Sequence, residues 1–459
     1  MRPQRFWYVL LTVLVLAGML SACAQATPTP QPPPPTATTA PQPTPTVAKM
    51  PVTLTFWHHF SGPQGDEMAK IVDEWNKSHP DIQVKINVVP FAPTAEYSQK
   101  MTAAAASGQP PDVFLNPAGA WAVGLDLAIP LDDYMKRDGI SLDDYYPGAV
   151  QRVIWLGKAY GIPFNMDTRA LWWNKKLFRE AGLDPEKPPT TWAELEEYSK
   201  KLVKKDDKGN VDVMGFMPAF DEAYVYGFIY QNGGLVQTFE NTCRPPTLMF
   251  DSPEGKEALA FMKRLVDING GPDQQNAFLS SFTGGANDPF YTGKLAMMYT
   301  GPWRLPDIRK YAPDLEFGLA PEPLGPKAKG KATLVGGFEV SIPKLSKNYD
   351  AAWEFVKYLG QLDIQIRMSK VAGNTPGHKV PPDHPYLKED PAVAYFVTAG
   401  DWGISFPEGP WSFPLFFALA QDAVQEVFTN VKTVDQAYAD ARVKVQAEID
   451  RWFTNHPCQ

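Results

Sequence analysis

The sequence predicts an α/β fold in two lobes, and three observations lead to that expectation. At 459 residues the chain is too long for one hydrophobic core. Between Val52 and Asn116 the pattern reads strand, helix, strand, helix, strand, which is a parallel sheet wound by right-handed crossovers. The stretch Phe290 to Leu305 (FYTGKLAMMYTGPWRL) holds an apolar run, Leu295 to Tyr299, between Gly293 and a Gly301-Pro302 turn. That run is too short for a helix and has the length of a buried strand. Trp303 then stands at the mouth of a strand, where α/β sheets bind ligands. Its flat indole is the kind of face on which sugar rings stack, and core packing is the competing reading.

Before the folded part come two segments of different character. Arg2 and Arg5 precede an uncharged run from Phe6 to Leu20, short for a membrane span and suited to a signal segment. Leu20-Ser21-Ala22-Cys23 resembles a bacterial lipobox, which implies cleavage after residue 22 and a lipid on Cys23. Residues 23–50 follow as a tether: Thr27 to Thr46 holds nine Pro and seven Thr, cannot bury a core, and is expected to be extended. At about 3.1 Å per residue it spans some tens of Å.

The remainder has ordinary globular composition, 44% hydrophobic and 20% charged. A net charge of −8, which becomes −10 without the two leader arginines, argues against a nucleic-acid partner. Twelve of the 13 Trp lie after the leader.

Taken in order, Val52 to Phe56 alternates as a strand and runs into a Trp57-His58-His59-Phe60 loop, with His59 a candidate ligand residue. Met68, Ile71, Val72 and Trp75 form the apolar stripe of a helix over Gly65 to Ser78. Ile82 to Val88 alternates again, a helix follows over Ala95 to Ser107, and Val113 to Leu115 is a short buried strand. In Tyr160 to Lys175 (YGIPFNMDTRALWWNK) the adjacent Trp172 and Trp173 must point to opposite faces of a strand, so at most one can meet a cleft. Asn165 and Asp167, just before them, are better ligand candidates because amide and carboxylate groups hydrogen-bond hydroxyls. Thr191 and Glu194 form a capping box opening a helix that extends to Asp206, and Ser252-Pro253 starts another.

Leu334 to Pro343 (LVGGFEVSIP) reads as a strand with two glycines, able to approach a ligand or to flex. One of Phe338 and Glu339 faces the cleft and the other does not. Trp402 and Trp411 lie in a Gly- and Pro-rich irregular stretch and are the next aromatic candidates after Trp303.

Gly293-Lys294, Ala296-Met297 and Gly301-Pro302-Trp303 together resemble the signature of the extracellular solute-binding proteins of family 1, the sugar-binding components of ABC importers. The Phe56-Trp57-His58 end of the first strand, the Asn76-Lys77 and Pro80 element, Pro111 to Phe114, the YGIP and WWNK stretches, Gln231 to Gly234 and Lys347 to Leu359 (KNYDAAWEFVKYL) are similar to that family in the same order. The resemblance implies a maltose-binding-protein-like, type II periplasmic-binding-protein fold, each lobe a mainly parallel sheet flanked by helices, joined by hinge strands. It places residues 51–165 and 341–395 in one lobe and residues 166–340 and 396–459 in the other. It adds Trp121, in the loop after Pro111 to Phe114, and Glu222 and Tyr224, before Gln231, as residues able to reach the cleft. Cys243 and Cys458 then both fall in the second lobe and are expected to pair as a disulfide.

The function implied is capture of a sugar or oligosaccharide, as a monomer at the outer face of the cytoplasmic membrane, for delivery to a permease, with no cofactor, metal or catalytic residue. Two other readings stand beside it. A secreted glycosidase would need two carboxylates about 5 to 10 Å apart, although no GxSxG elbow, HExxH helix or phosphate loop is present. The same fold binding a polyamine or iron is the third; Tyr145-Tyr146 offers a superficial iron-ligand pair, whereas the adjacent His58 and His59 diverge and make a poor metal pair.

Overall fold

The structure, a computed structural model, describes residues 51–89, 94–116, 122–123, 126–218, 220, 225–238, 244–406 and 409–456. Its first strand, β1 (Val52–His58), turns Leu54, Phe56 and His58 inward. Helix α1 (Gly62–Ser78), with Pro63 in its first turn, buries the predicted stripe Met68, Ile71, Val72 and Trp75. β2 (Ile82–Val88) and, after a helix at Thr94–Ala106, β3 (Val113–Asn116) flank β1 on either side and run parallel to it.

Two strands then follow almost without a break, β4 (Ile162–Asp167) and β5 (Ala170–Asn174), yet they belong to different sheets. Thr168 and Arg169 are therefore a crossing. The second sheet continues with β6 (Val211–Phe216), β7 (Leu295–Thr300) and β8 (Phe317–Ala320). Residues 321–332 carry the chain back to the first sheet, which it re-enters as β9 (Thr333–Ser341). β10 (Thr375–Pro376) and β11 (Gly403–Ser405) complete that sheet. Strand order is β10-β4-β9-β3-β1-β2 with β11 on the first residues of β9, and β8-β5-β7-β6 with Lys204–Lys205 on the outer edge. The expected lobe boundaries at 165/166 and 340/341 fall inside β4 and β9.

The sheets are mixed rather than mainly parallel: β1 with β2 and β3, β6 with β7, and β9 with β11 are parallel, and the other pairs among the described strands are antiparallel. The reason is topological. A strand arriving from the other lobe enters a sheet at its carboxyl edge and must run against its neighbours. β5 starts opposite the end of β7, with Ala170 paired to Thr300, and the end of β9 runs against β3, with Glu339 paired to Asn116. The carboxyl edges of β1, β3, β4 and β7 consequently gather at the crossings.

Trp172 and Trp173 sit on opposite faces of β5, both fully packed, their indole nitrogens donating to the carbonyls of Thr300 (3.0 Å) and Pro185 (2.9 Å). Both are structural. Trp353 is core beneath the first sheet and donates to Asp138 (2.7 Å). The capping box of Thr191 and Glu194 is present, but its helix, α2 (Trp192–Leu202), stops short of Asp206 because Lys204 and Lys205 pair with β6 instead. Asp206 accepts from the amides of Lys208 and Asn210, and Gly209, at φ +85°, closes that turn. No helix among the described residues is long and apolar enough to cross a membrane.

Candidate functional site

The β4–β9 ladder is the line along which the expected site residues meet. Gly336 lies opposite Asp167, Gly337 opposite Met166, and Phe338 opposite Asn165, after which the register slips by a bulge between Phe338 and Glu339. Bulges of this kind re-aim side chains. Here Phe338 is left partly exposed while Glu339 is buried. The backbone amide of Phe338 donates to the side-chain oxygen of Asn165 at 2.8 Å, and the Phe338 ring packs against His59 with centroids 4.2 Å apart. Asn165, Phe338 and His59 thus form one contiguous group at the carboxyl edge of the first sheet.

A second group adjoins it across the crossing. Trp303 follows the Gly301-Pro302 turn at the end of β7 and opens helix α3 (Arg304–Tyr311), its indole partly exposed. The guanidinium carbon of Arg169 lies 5.0 Å from the Trp303 ring centre and 5.5 Å from that of Phe406, so the cation meets two aromatic rings. The same guanidinium donates to the Asp167 carboxylate at 2.5 Å and to the Asp167 carbonyl at 2.9 Å. Arg169 links Asp167 to Trp303, and Asn165 lies two residues before Asp167 on the same strand; Arg169 and Phe406 are members that sequence reasoning missed. The available signal was Asp167-Thr168-Arg169 itself, since residues two apart on extended chain share a side.

The glycines of β9 have a use beyond the one expected. A Cβ on Gly336 would come within 2.4 Å of the Asp167 carboxylate, and one on Gly337, at φ +136°, within 2.3 Å of the Asn165 carbonyl. They let β9 approach β4 and its ion pair closely.

Other expected residues are placed elsewhere. Trp411 is 1% exposed, edge-on to Trp155 and Trp452, and donates to Gln237 at 2.9 Å. It is a core residue, because the irregular segment folds its indole inward onto the last helix. Glu339 is buried, and its carboxylate lies 3.9 Å from the Arg152 guanidinium, which also donates to the carbonyl of Gly337. Trp402 stays partly exposed with Lys331 Nζ 4.9 Å from its ring centre, on the stretch leading to Phe406. Trp121, Glu222, Tyr224, Cys23, Cys243 and Cys458 lie outside the described residues. Tyr145 and Tyr146 are buried, the first donating to the Gly360 carbonyl and the second accepting from the Val380 amide. Burial pushes both phenols up, against a tyrosinate role.

The electrostatics around the crossings are those of a dry interior. Burial lowers the His58 imidazole to about 4, and burial together with the neighbouring His58 lowers His59 to about 3. Both are neutral at pH 7. Glu322, between β8 and β9, is pushed up to about 8 by burial, against opposing hydrogen bonds and the nearby Arg169. Its carboxyl lies within hydrogen-bond distance, 3.0 Å, of Thr333 Oγ1, and Thr333 accepts from the Arg169 amide and lies 3.0 Å from the Arg169 carbonyl. The two crossings are thereby tied to each other. The arrangement offers flat apolar faces and a few oriented polar groups, the chemistry of binding a small polar ligand.

The sequence profile described as bacterial extracellular solute-binding protein matches residues 61–365 of the chain. The sn-glycerol-3-phosphate-binding periplasmic protein UgpB of Pectobacterium atrosepticum is 25% identical over 439 residues, covering 88% of this chain and 93% of that protein. Among solved structures, CpMnBP1 with mannotriose bound is 29% identical with a TM-score of 0.74, over 86% of this chain and 100% of that one. The cyclic alpha-maltosyl-1,6-maltose binding protein from Arthrobacter globiformis is 26% identical with a TM-score of 0.71, over 87% and 100%.

Proposed function

The chain belongs to the bacterial extracellular solute-binding protein family, with a two-lobed type II periplasmic-binding-protein fold, and from that premise we propose that it is the substrate-binding component of an ABC importer. It captures a sugar or short oligosaccharide between its lobes and hands it to a membrane permease. The observation that supports this most directly is the partly exposed Trp303 indole at the carboxyl edge of β7, beside the polar groups of β4. A pyranose stacks its apolar face on the indole, and its hydroxyls are matched by Asn165 and Asp167. Phe338, His59 and Trp402 border the site, and Trp121, Glu222 and Tyr224 complete it. The cation beside Trp303 is already matched by Asp167, which favours a neutral ligand over the glycerol phosphate named for one relative.

In this reading the lobes are residues 51–165 with 341–395 and residues 166–340 with 396–459, with residues 166–167, 333–340 and 403–405 reaching back into the first sheet as parts of β4, β9 and β11. The signal segment, residues 1–22, is removed, Cys23 carries a lipid, and residues 23–50 hold a monomer off the outer face of the cytoplasmic membrane. Cys243 and Cys458 form a disulfide; two free thiols on titration of the unreduced protein would refute that pairing. The protein is a binder and not an enzyme.

Thermal melts and calorimetry with mannobiose, mannotriose, maltotriose, sn-glycerol-3-phosphate, spermidine and ferric iron test the reading. A sugar is expected to raise the melting temperature, since a ligand that binds only the folded state stabilises it. A response confined to iron, spermidine or the phosphate ester would move the chain to another solute. Cleavage of an oligosaccharide would make it an enzyme.

A further inference from the structure

We propose that Arg169 is a positioning residue for solute capture: it fixes the plane of the Trp303 indole, so that the stacking face is in place before a solute arrives. The proposal rests on the solute-binding reading above and deepens its site. The Trp303 ring is held on two sides. Its edge closes over Gly301 so tightly that a Cβ there would lie 1.9 Å from the ring, and the Arg169 guanidinium covers it at 5.0 Å. The guanidinium in turn has little freedom to leave. Phe406 lies against it at 5.5 Å, Asp167 takes two of its hydrogen bonds through carboxylate and carbonyl, and both the amide and the carbonyl of Arg169 are bonded to Thr333.

Only a planar, delocalised cation can stack on aromatic rings while its edge bonds a carboxylate, so this is a place for Arg rather than Lys. A stiff indole has two side-chain torsions to lose on binding. Locking them beforehand removes that cost from the affinity. Because Arg169 is itself one of the two residues of the first crossing, the orientation of Trp303 is also coupled to the segment about which the lobes would move.

The experiment uses the full chain labelled with 5-fluorotryptophan, with the Trp303 resonance assigned by its loss in Trp303→Phe and the Trp411 resonance kept as a control for general disturbance. In Arg169→Met the ligand-free Trp303 resonance is expected to move or broaden while that of Trp411 stays, and the mannotriose Kd to rise about tenfold. Arg169→Lys, which keeps the charge but not the planar fork, is expected to recover little of either the Trp303 resonance or the affinity. A folded Arg169→Met with unchanged Trp303 resonance and unchanged Kd overturns the proposal. Should that variant not fold, Phe406→Leu, which leaves the pair with Asp167 intact, carries the same two measurements and the same outcomes. If the wild type binds no sugar, the solute reading falls by itself, and the ligand-free resonance still decides whether Arg169 orders Trp303.

Discussion

The Arg169 guanidinium and the Asp167 carboxylate meet at 2.5 Å two residues apart on the first crossing, both almost fully buried. A buried ion pair is strongly destabilised when either partner loses the other. Gly336 exists to let that pair form, since a Cβ there would stand 2.4 Å from the carboxylate. Gly336→Ala is expected to cost about 1 to 3 kcal/mol by overpacking, seen as a lower denaturant midpoint, and to weaken sugar binding along with it. An unchanged midpoint would mean that the strand can shift to make room.

Trp303 and Trp411 are expected to separate cleanly. Trp303→Ala removes a partly exposed face and should raise the Kd for a bound sugar by roughly tenfold to a hundredfold, with a small change in melting temperature. Trp411→Ala empties a core site between Trp155 and Trp452 and should cost about 3 to 5 kcal/mol of stability. Calorimetry of the surviving folded protein should then find its affinity close to wild type.

Acid stability depends on two imidazoles. The folded-state values of His58 and His59, about 4 and about 3, are depressed below the ordinary 6.5, so the unfolded chain takes up protons first. Stability is complete above pH 6.5 and is lost progressively as pH falls through the folded values. His58, wholly buried, contributes on the order of 3 kcal/mol to that loss. His58→Gln should flatten denaturant midpoints between pH 6.5 and 4; a wild-type curve already flat there would contradict the assignment.

Glu322 works with the opposite sign. Its folded value, raised to about 8 from 4.5, means that the native state holds a proton that the unfolded chain has released. The stability it contributes is complete below pH 4.5 and declines as pH rises through about 8. Glu322→Gln should remove that decline, so that the variant gains on wild type between pH 5 and 9 in urea unfolding.

Local patterns were the readable part of the sequence. The α1 stripe, the Thr191 capping box and the apolar run bounded by Gly293 and Gly301 each depend on neighbours a few residues away, and each is where it was expected. The orientation of Trp411 was not readable, because the rings that enclose it, Trp155 and Trp452, are remote in sequence. A Trp among Gly and Pro has the same local context whether it points out or in. The choice between Phe338 and Glu339 was set by a bulge, which leaves no mark in an alternating pattern. The antiparallel share of the sheets followed from how strands enter after a crossing, a property of the whole path.

The position of β9 also bears on the order in which the molecule can assemble. β3 and β4 do not touch within the larger sheet; β9 lies between them. A nascent chain that has not yet reached Thr333 has two facing strand edges with an empty lane between them. The first lobe therefore cannot finish folding until the chain has passed through the strands of the second sheet and returned. Its earliest complete form must wait for residues synthesised after most of its partner lobe, which favours a chain that folds late and as a whole.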